Sequence, residues 1–312
     1  MKILVTGAVG FIGSHTAERL SELGHDVVGV DNFSDYYDLE LKQMNANSIK
    51  EKGVEIINID LRDENISDAL PLDIDYIFHF AAQPGISITS TFEDYFTNNI
   101  IATKNIIDYV QKCKNFKMFV NIGTSSIYGL EATFTEDVAP KPASHYGVTK
   151  LAAEQLVLQK SRENIFKACS LRLYSVIGPR ERPEKMYTKL IACGINNRAF
   201  TLYEGSDKHL RSFTYVGDIV DGIVSVIGNE AIVNGGIINL GTEVEHTTQE
   251  GIEAVEKVLG KSIQIEIVEK RAGDQSRTKA NIDKARKLLN YNPQTTLLES
   301  VRHQVNWYKA NF

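Results

Sequence analysis

Lys2-Ile3-Leu4-Val5-Thr6-Gly7-Ala8-Val9-Gly10-Phe11-Ile12-Gly13 opens the chain, and its reading decides the fold. The first five residues are a short run of apolar and β-branched side chains, the composition of a strand. Three glycines at intervals of three follow, and a helical pattern then runs over residues 13–23 with Gly24 as its stop. The same alternation continues downstream. Residues 26–30, 54–59, 76–80, 118–122 and 168–173 read as strands, and 97–112 and 146–162 as helices. Strands that alternate with helices imply a parallel sheet with right-handed crossovers. The strands are nearly continuous apolar runs, as expected when helices cover both faces.

Composition bounds the rest. The 312 residues carry 34 Lys and Arg against 40 Asp and Glu, a net charge of −6. This mildly acidic balance argues against a general nucleic-acid or anionic-membrane binder. Hydrophobic residues are 43% and charged residues 24%, which excludes a disordered chain or a fibrous repeat. Cys113, Cys169 and Cys193 form no CxxC pair and no metal-ligand spacing, so the expectation is reduced thiols in a cytoplasmic protein without a metal. No apolar run reaches the roughly 18 residues that span a bilayer, and the first residues run straight into a strand rather than a signal peptide. After about Leu173 the rhythm changes, with Pro179 and Pro183 and shorter strands. The expected organisation is a Rossmann-type, doubly wound parallel sheet over 1–173, with returns near 213–240. A smaller mixed α/β substrate domain follows over 174–312, including a strand at 263–268 and a helix at 281–289.

Between a strand and a helix, the glycines permit a tight turn and let the backbone approach a pyrophosphate at the helix N-terminus. Asp31 ends the second strand, where a carboxylate accepts hydrogen bonds from ribose hydroxyls and repels a 2′-phosphate, so NAD is expected rather than NADP. Asp60 and Leu61 end the third strand, where an adenine edge would lie. Tyr146 and Lys150 are four apart and share a helix face. A lysine cation beside the phenol is expected to favour the phenolate and lower its pKa, yielding a general base for a hydroxyl proton. Thr124, Ser125 and Ser126 follow the fifth strand and offer three hydroxyls at the carboxyl edge of the sheet, where ligands of such sheets bind.

These motifs, taken with His79-Phe80-Ala81-Ala82, Asn99 with Thr103 and Asn105, Gly178-Pro179-Arg180, Arg211 and Arg271-Ala272-Gly273-Asp274, resemble the extended short-chain dehydrogenase/reductase family, specifically its nucleotide-sugar epimerases. The resemblance covers nearly the whole chain. It implies Thr124, Tyr146 and Lys150 as the catalytic set. It implies NAD held by Gly7, Gly10, Phe11, Ile12, Gly13, Asp31, Asn32, Asp60, Leu61, Ala81, Ala82 and Asn99, with Tyr146 and Lys150. It implies a UDP-sugar held by Thr124, Ser125, Ser126, Ser175, Arg182, Arg211, Arg271 and Asp274, the arginine forks being suited to phosphate. It also implies a homodimer through the helices at 97–112 and 146–162.

Relatives that dehydrate or decarboxylate the keto sugar resemble one another in acidic residues where this chain has Ser125-Ser126. The expected chemistry is therefore 4-epimerisation through a 4-keto intermediate. Asp31-Asn32-Phe33-Ser34-Asp35-Tyr36-Tyr37-Asp38 resembles a stretch typical of UDP-glucuronate 4-epimerases, and Ser175 with Arg182 suits a C6 carboxylate. The competing expectations are a UDP-glucose or UDP-N-acetylglucosamine 4-epimerase, a dehydrogenase that releases the keto sugar, and a non-catalytic dinucleotide sensor. There are departures from the resemblance. Ser87 stands where an arginine is usual, Ser212 where an aspartate is usual, and Gly217 where an acidic residue is common.

Overall fold

The computed structural model of the chain describes residues 1–85, 89–269 and 277–312. Seven strands form one sheet: β1 (Lys2–Thr6), β2 (Asp26–Asp31), β3 (Glu55–Asn58), β4 (Tyr76–His79), β5 (Met118–Thr124), β6 (Ala168–Leu173) and β7 (Ile237–Leu240). Their order is β7-β6-β5-β4-β1-β2-β3, and each neighbouring pair is parallel. The helices α1 (Phe11–Glu22), α2 (Leu39–Glu51), α3 (Ala102–Val110) and α4 (His145–Arg162) lie between strands in the chain. The strand order reverses at the β1–β4 pair, so a crevice opens beyond Thr6 and His79. The fold is the doubly wound α/β class expected from the sequence.

Side chains alternate across each strand, and both faces are dry. Ile3, Val5, Val120, Leu171 and Leu240 pack on one face, and Leu4, Val28, Ile77, Phe119 and Ala168 on the other. A third core, built from Ile177, Leu190, Phe213, Val255 and Val301 among others, lies wholly within residues 177–305. Ala285, Leu289 and Tyr291 pack instead on the first sheet face. Three smaller sheets lie mostly in the second half, one of them including Glu131–Ala132 of the first. Ser175–Ile177 pairs with Phe213–Tyr215, and Phe200–Tyr203 with Ile265–Val268. Leu210–Arg211 joins a mixed four-stranded sheet. The halves are strapped by Arg180, whose Nη2 donates to Glu18 at 2.7 Å and to Ser48 at 2.8 Å.

One expected element differs. The helix expected over 97–112 begins with a π-helical stretch, Phe96–Ile101, before α3 starts at Ala102. Such widened turns recur at functional sites because they redirect a side chain. Here the stretch contains the buried Asn99.

The sheet also contains a buried ion pair. Arg172 on β6 donates from Nε to Glu154 Oε2 at 3.0 Å and from Nη2 to Oε1 at 2.7 Å, with both side chains 1% exposed. Its Nη1 donates to the Tyr128 hydroxyl at 2.8 Å, which donates to Asn239 on β7 at 2.9 Å. Ser170 donates to Glu154 at 2.9 Å and accepts from Asn121 on β5 at 2.9 Å. The network therefore ties α4 to three adjacent strands. Removing one partner leaves a buried charge uncompensated, which costs about 3–5 kcal/mol. Urea denaturation of Glu154→Gln should show a loss of that order, and Glu154→Gln/Arg172→Met should lose less than the sum of the singles. A loss below about 1 kcal/mol for Glu154→Gln would contradict the tie.

Candidate active site

The glycine turn has the geometry a dinucleotide needs. Gly7 has φ +67°, and a Cβ on Gly13 would overlap the Gly7 carbonyl oxygen. The turn thus closes tightly on α1, whose N-cap Gly10 has no side-chain cap, leaving the helix amides for an anion. Ala81 donates its amide to Thr6 Oγ1 at 3.2 Å, which holds the Ala81–Ala82 segment against the end of β1. Phe11 and Ile12 begin α1 at the same turn.

Asp31 ends β2 beside that turn. Its carboxylate accepts from the Val9 amide at 3.3 Å and the Phe33 amide at 2.9 Å. Burial pushes its pKa up, and Lys42, with Nζ 3.8 Å away, opposes the shift. Lys42 also donates to Ser34 Oγ at 3.0 Å. This lysine, which the sequence does not single out, supports the Asp31 carboxylate. Its only signal is its place on α2, one turn after Leu39. Asn32 donates to Asp60 at 2.9 Å, and Arg62 donates to both Asp60 oxygens. Burial would raise the Asp60 pKa, but the hydrogen bonds from Arg62 and Asn32 outweigh it and hold the carboxyl at about 2. Asn32 and Asp60 thus clamp two loops together. The Leu61 carbonyl accepts from Asn105 at 3.0 Å.

A chain of hydrogen bonds crosses the crevice from β1 to α4. Thr103 donates to the Asn99 carbonyl at 2.7 Å, so it accepts from His79 Nε2 at 2.9 Å. His79 Nδ1 then accepts from Thr6 Oγ1 at 2.7 Å. This network assigns the proton of His79 to Nε2. Asn99 uses both ends of its amide, accepting from the Gln83 amide at 2.7 Å and donating to Thr149 at 2.9 Å. Asn99 therefore joins the loop after β4 to the helix of Tyr146 and Lys150. Burial, reinforced by the Lys150 charge, holds His79 neutral with a pKa of about 3.

Thr124 ends β5 and meets Tyr146 in the first turn of α4, and Lys150 follows one turn further along that helix. Ser144 caps α4 through the Gly147 amide at 3.1 Å. A Cβ on Gly147 would lie 2.9 Å from the Ser126 carbonyl oxygen, so glycine is what lets the first turn of α4 close on the 124–126 segment. Thr124 accepts from the Ser126 amide at 3.2 Å and hydrogen-bonds the Tyr146 hydroxyl. The electrostatics correct the sequence reading. Burial raises the Tyr146 pKa, and what opposes the shift is the Thr124 hydrogen bond, the Arg182 charge and the Gly85 backbone. Lys150 is itself pulled down by burial to about 8, with Glu154 one turn along raising it. The reason is desolvation, which a spacing motif does not register.

On the substrate side, Ser125 is buried and Ser126 half-buried in the turn after β5. Ser175 lies two residues beyond Leu173, which pairs with Thr124, so it stands at the same sheet edge. Arg182 reaches the loop after β4, donating to the Pro84 carbonyl at 3.4 Å and pairing with Glu184 at 2.8 Å. Arg211 lies in the mixed sheet, opposite His246. Arg271 and Asp274 lie outside the described residues. Among the described residues no cluster of His, Cys, Asp and Glu could hold a metal, no helix is long and apolar enough to cross a membrane, and the three cysteines are free.

A glycine turn on a helix N-terminus, a strand-end carboxylate and a Thr–Tyr–Lys set at the switch point define a nucleotide-dependent redox enzyme of the doubly wound α/β class. Residues 3–241 match the NAD dependent epimerase/dehydratase family, and the chain belongs to it. Its cofactor is accordingly NAD, which the residues above fit. The Bacillus subtilis (strain 168) protein YtcB, an uncharacterized UDP-glucose epimerase, is 34% identical over 99% of this chain and 98% of its own. UDP-glucuronate 4-epimerase 1 of Arabidopsis thaliana is 30% identical over 100% of this chain and 77% of its own. Among solved structures, the Bacillus cereus UDP-glucuronic acid 4-epimerase in complex with UDP-glucuronic acid and NAD superposes with a TM-score of 0.93 at 33% identity, over 100% of both chains.

The neutral assignment of His79 is directly measurable. Its ring resonances should stay those of the neutral Nε2–H tautomer from pH 8 to pH 5. Titration near the ordinary value of about 6.5 would contradict the hydrogen-bond chain. The folded pKa lies below the unfolded one, so the unfolded chain binds the extra proton. This site therefore destabilises the fold as pH falls from the ordinary histidine range towards about 3.

Proposed function

We propose that the protein is a UDP-sugar 4-epimerase that interconverts UDP-glucuronate and UDP-galacturonate. The observation that carries the choice of sugar is the position of Arg182. Its charge acts on Tyr146, the residue at the reacting hydroxyl, and C6 of a pyranose is only two bonds from C4. A carboxylate in a walled pocket needs a cation or several donors. Arg182 supplies the cation, with Thr124, Ser125 and Ser175 at the same edge. The similarity to UDP-glucuronate 4-epimerases supports this reading, and the similarity to a UDP-glucose epimerase supports the competing hexose.

Bound NAD supplies a hydride acceptor and donor for C4 of the sugar. Tyr146 takes the proton of the C4 hydroxyl and returns it after the keto sugar has turned over. Thr124 hydrogen-bonds the same phenol and favours the phenolate, as does the Arg182 charge. Lys150, mostly charged at neutral pH with a pKa of about 8, holds positive charge beside the cofactor side of the site. No carboxylate stands at 125–126 for a second proton transfer, so the chemistry ends at inversion.

The homodimer is proposed on the same footing. Ile107, Val110 and Val157 are used up inside the subunit's own core. Phe92 and Val148, 47% and 45% exposed, remain on the flank of these helices, with Ile100, Ile101, Leu151 and Leu156 half-buried beside them. Light scattering at micromolar concentration should give twice the chain mass, and a monomer would overturn the proposal.

Product analysis without added NAD tests the function. UDP-glucuronate should be converted and UDP-glucose converted poorly. Tyr146→Phe should lower turnover at least about 100-fold with NAD still bound. Arg182→Ala should raise KM for UDP-glucuronate about tenfold or more and change KM for UDP-glucose little. Equal conversion of the two sugars would overturn the uronate reading, and conversion of neither would overturn the epimerase.

A further inference from the structure

Lys185 stands at the N-cap of the helix Met186–Ile195, a position that favours Ser, Thr, Asp or Asn. Its side chain makes no cap hydrogen bond. A cation there opposes the helix dipole, so the residue does nothing for the helix it begins. Among the described residues its ammonium makes no hydrogen bond and no ion pair within 4.0 Å, and only the charges of Glu181 and Glu184, farther off, favour it. What it faces is the loop after β4. A Cβ on Gly85 would lie 3.7 Å from Lys185 Nζ and 3.1 Å from Arg182 Nη2. Gly85 in turn accepts a hydrogen bond from Tyr95 at 2.9 Å and contributes a backbone hydrogen bond to Tyr146.

The lysine is exposed, yet desolvation is the largest influence on it. Arg182 and Arg211 push its pKa down further, against Glu181 and Glu184, which push it up. Glu181 lessens this compensation, because burial raises its own pKa to about 7 and leaves it partly protonated at neutral pH. Glu184 is already paired with Arg182. Positive charge is concentrated in one corner of the crevice beside the reacting phenol, at a cost that a bound anion relieves.

We infer that Lys185 is a specificity-determining residue that, with Arg182, receives the carboxylate of a uronate sugar. The inference rests on the functional reading above and deepens it. Lys185 and Arg182 approach the same glycine, so one carboxylate at that point meets a planar fork on one side and a point charge on the other. A neutral C6 hydroxymethyl group gains nothing from the ammonium. The cation is thus placed to separate uronates from hexoses rather than to bind every UDP-sugar.

Calorimetric binding to the NAD-loaded protein tests this with UDP-glucuronate, UDP-glucose and UDP. Lys185→Met keeps the length of the side chain and removes its charge. It should weaken UDP-glucuronate about 10- to 100-fold, the range for a hydrogen bond to a charged group. UDP-glucose and UDP should change less than twofold, and Lys185→Arg should restore most of the loss. A carboxylate contact also predicts that the wild-type preference for UDP-glucuronate over UDP-glucose shrinks as salt rises, and that Lys185→Met flattens this dependence. Equal weakening of all three ligands would overturn the proposal by assigning Lys185 to the diphosphate. No weakening of any would overturn it by making the residue a solvated lysine. These outcomes are independent of turnover. A wild-type protein that binds the UDP compounds but converts neither sugar fails as an epimerase, while the Lys185 contrast still stands or falls on binding alone.

Discussion

The Glu154–Arg172 ion pair is the constraint on which the site depends. It lies in the interior, where two charges are tolerable only if each is fully hydrogen-bonded. Arg172 meets this by spending its donors on Glu154 and Tyr128, and Glu154 by accepting from Arg172 and Ser170. The geometry that satisfies the pair fixes α4 in depth and rotation against β6. Lys150 is one turn before Glu154, and Tyr146 one turn before Lys150, on the same face. Glu154 also raises the pKa of a lysine that burial alone would discharge further. One carboxylate therefore both positions the helix and keeps its cation charged.

The second support is neutral and crosses from the other direction. Thr6, His79, Thr103, Asn99 and Thr149 pass hydrogen bonds from β1 to α4 with each donor and acceptor role assigned. It works only if His79 carries a single proton, and burial beside Lys150 ensures that. The two networks hold the same helix, one at Thr149 and the other at Glu154, with Lys150 between them. A reacting group held from both sides has little freedom to drift, which is the condition for a preorganised site.

Much of this was legible in the sequence where the signal is local. The Gly7–Gly13 turn, six strands of the sheet and the Tyr146–Lys150 spacing are short-range patterns, and the structure has them in place. Other features depend on residues far apart in the chain. Arg172 reads as one more strand residue until Glu154 is brought beside it, and Lys42 as a solvated helix lysine until Asp31 is found 3.8 Å away. The widened turn at Phe96–Ile101 has the same apolar pattern as an ordinary helix. The expectation that the Lys150 cation lowers the Tyr146 pKa took no account of burial, which raises it, or of Arg182, which opposes the rise from a loop 36 positions later. Asp60, expected at an adenine edge, is engaged by Arg62 two residues on, a local contact that strand-end reasoning overlooks.

The central claim is that one buried, doubly supported site removes a hydride from C4 and gives the same hydride back. Conversion of UDP-glucuronate carrying deuterium at C4 measures this directly, by mass spectrometry of the product after reaction without added NAD. The account predicts that the label stays on C4 of UDP-galacturonate, with no exchange into solvent and none between labelled and unlabelled molecules. Loss of the label to water, or its transfer to a second sugar molecule, would contradict it.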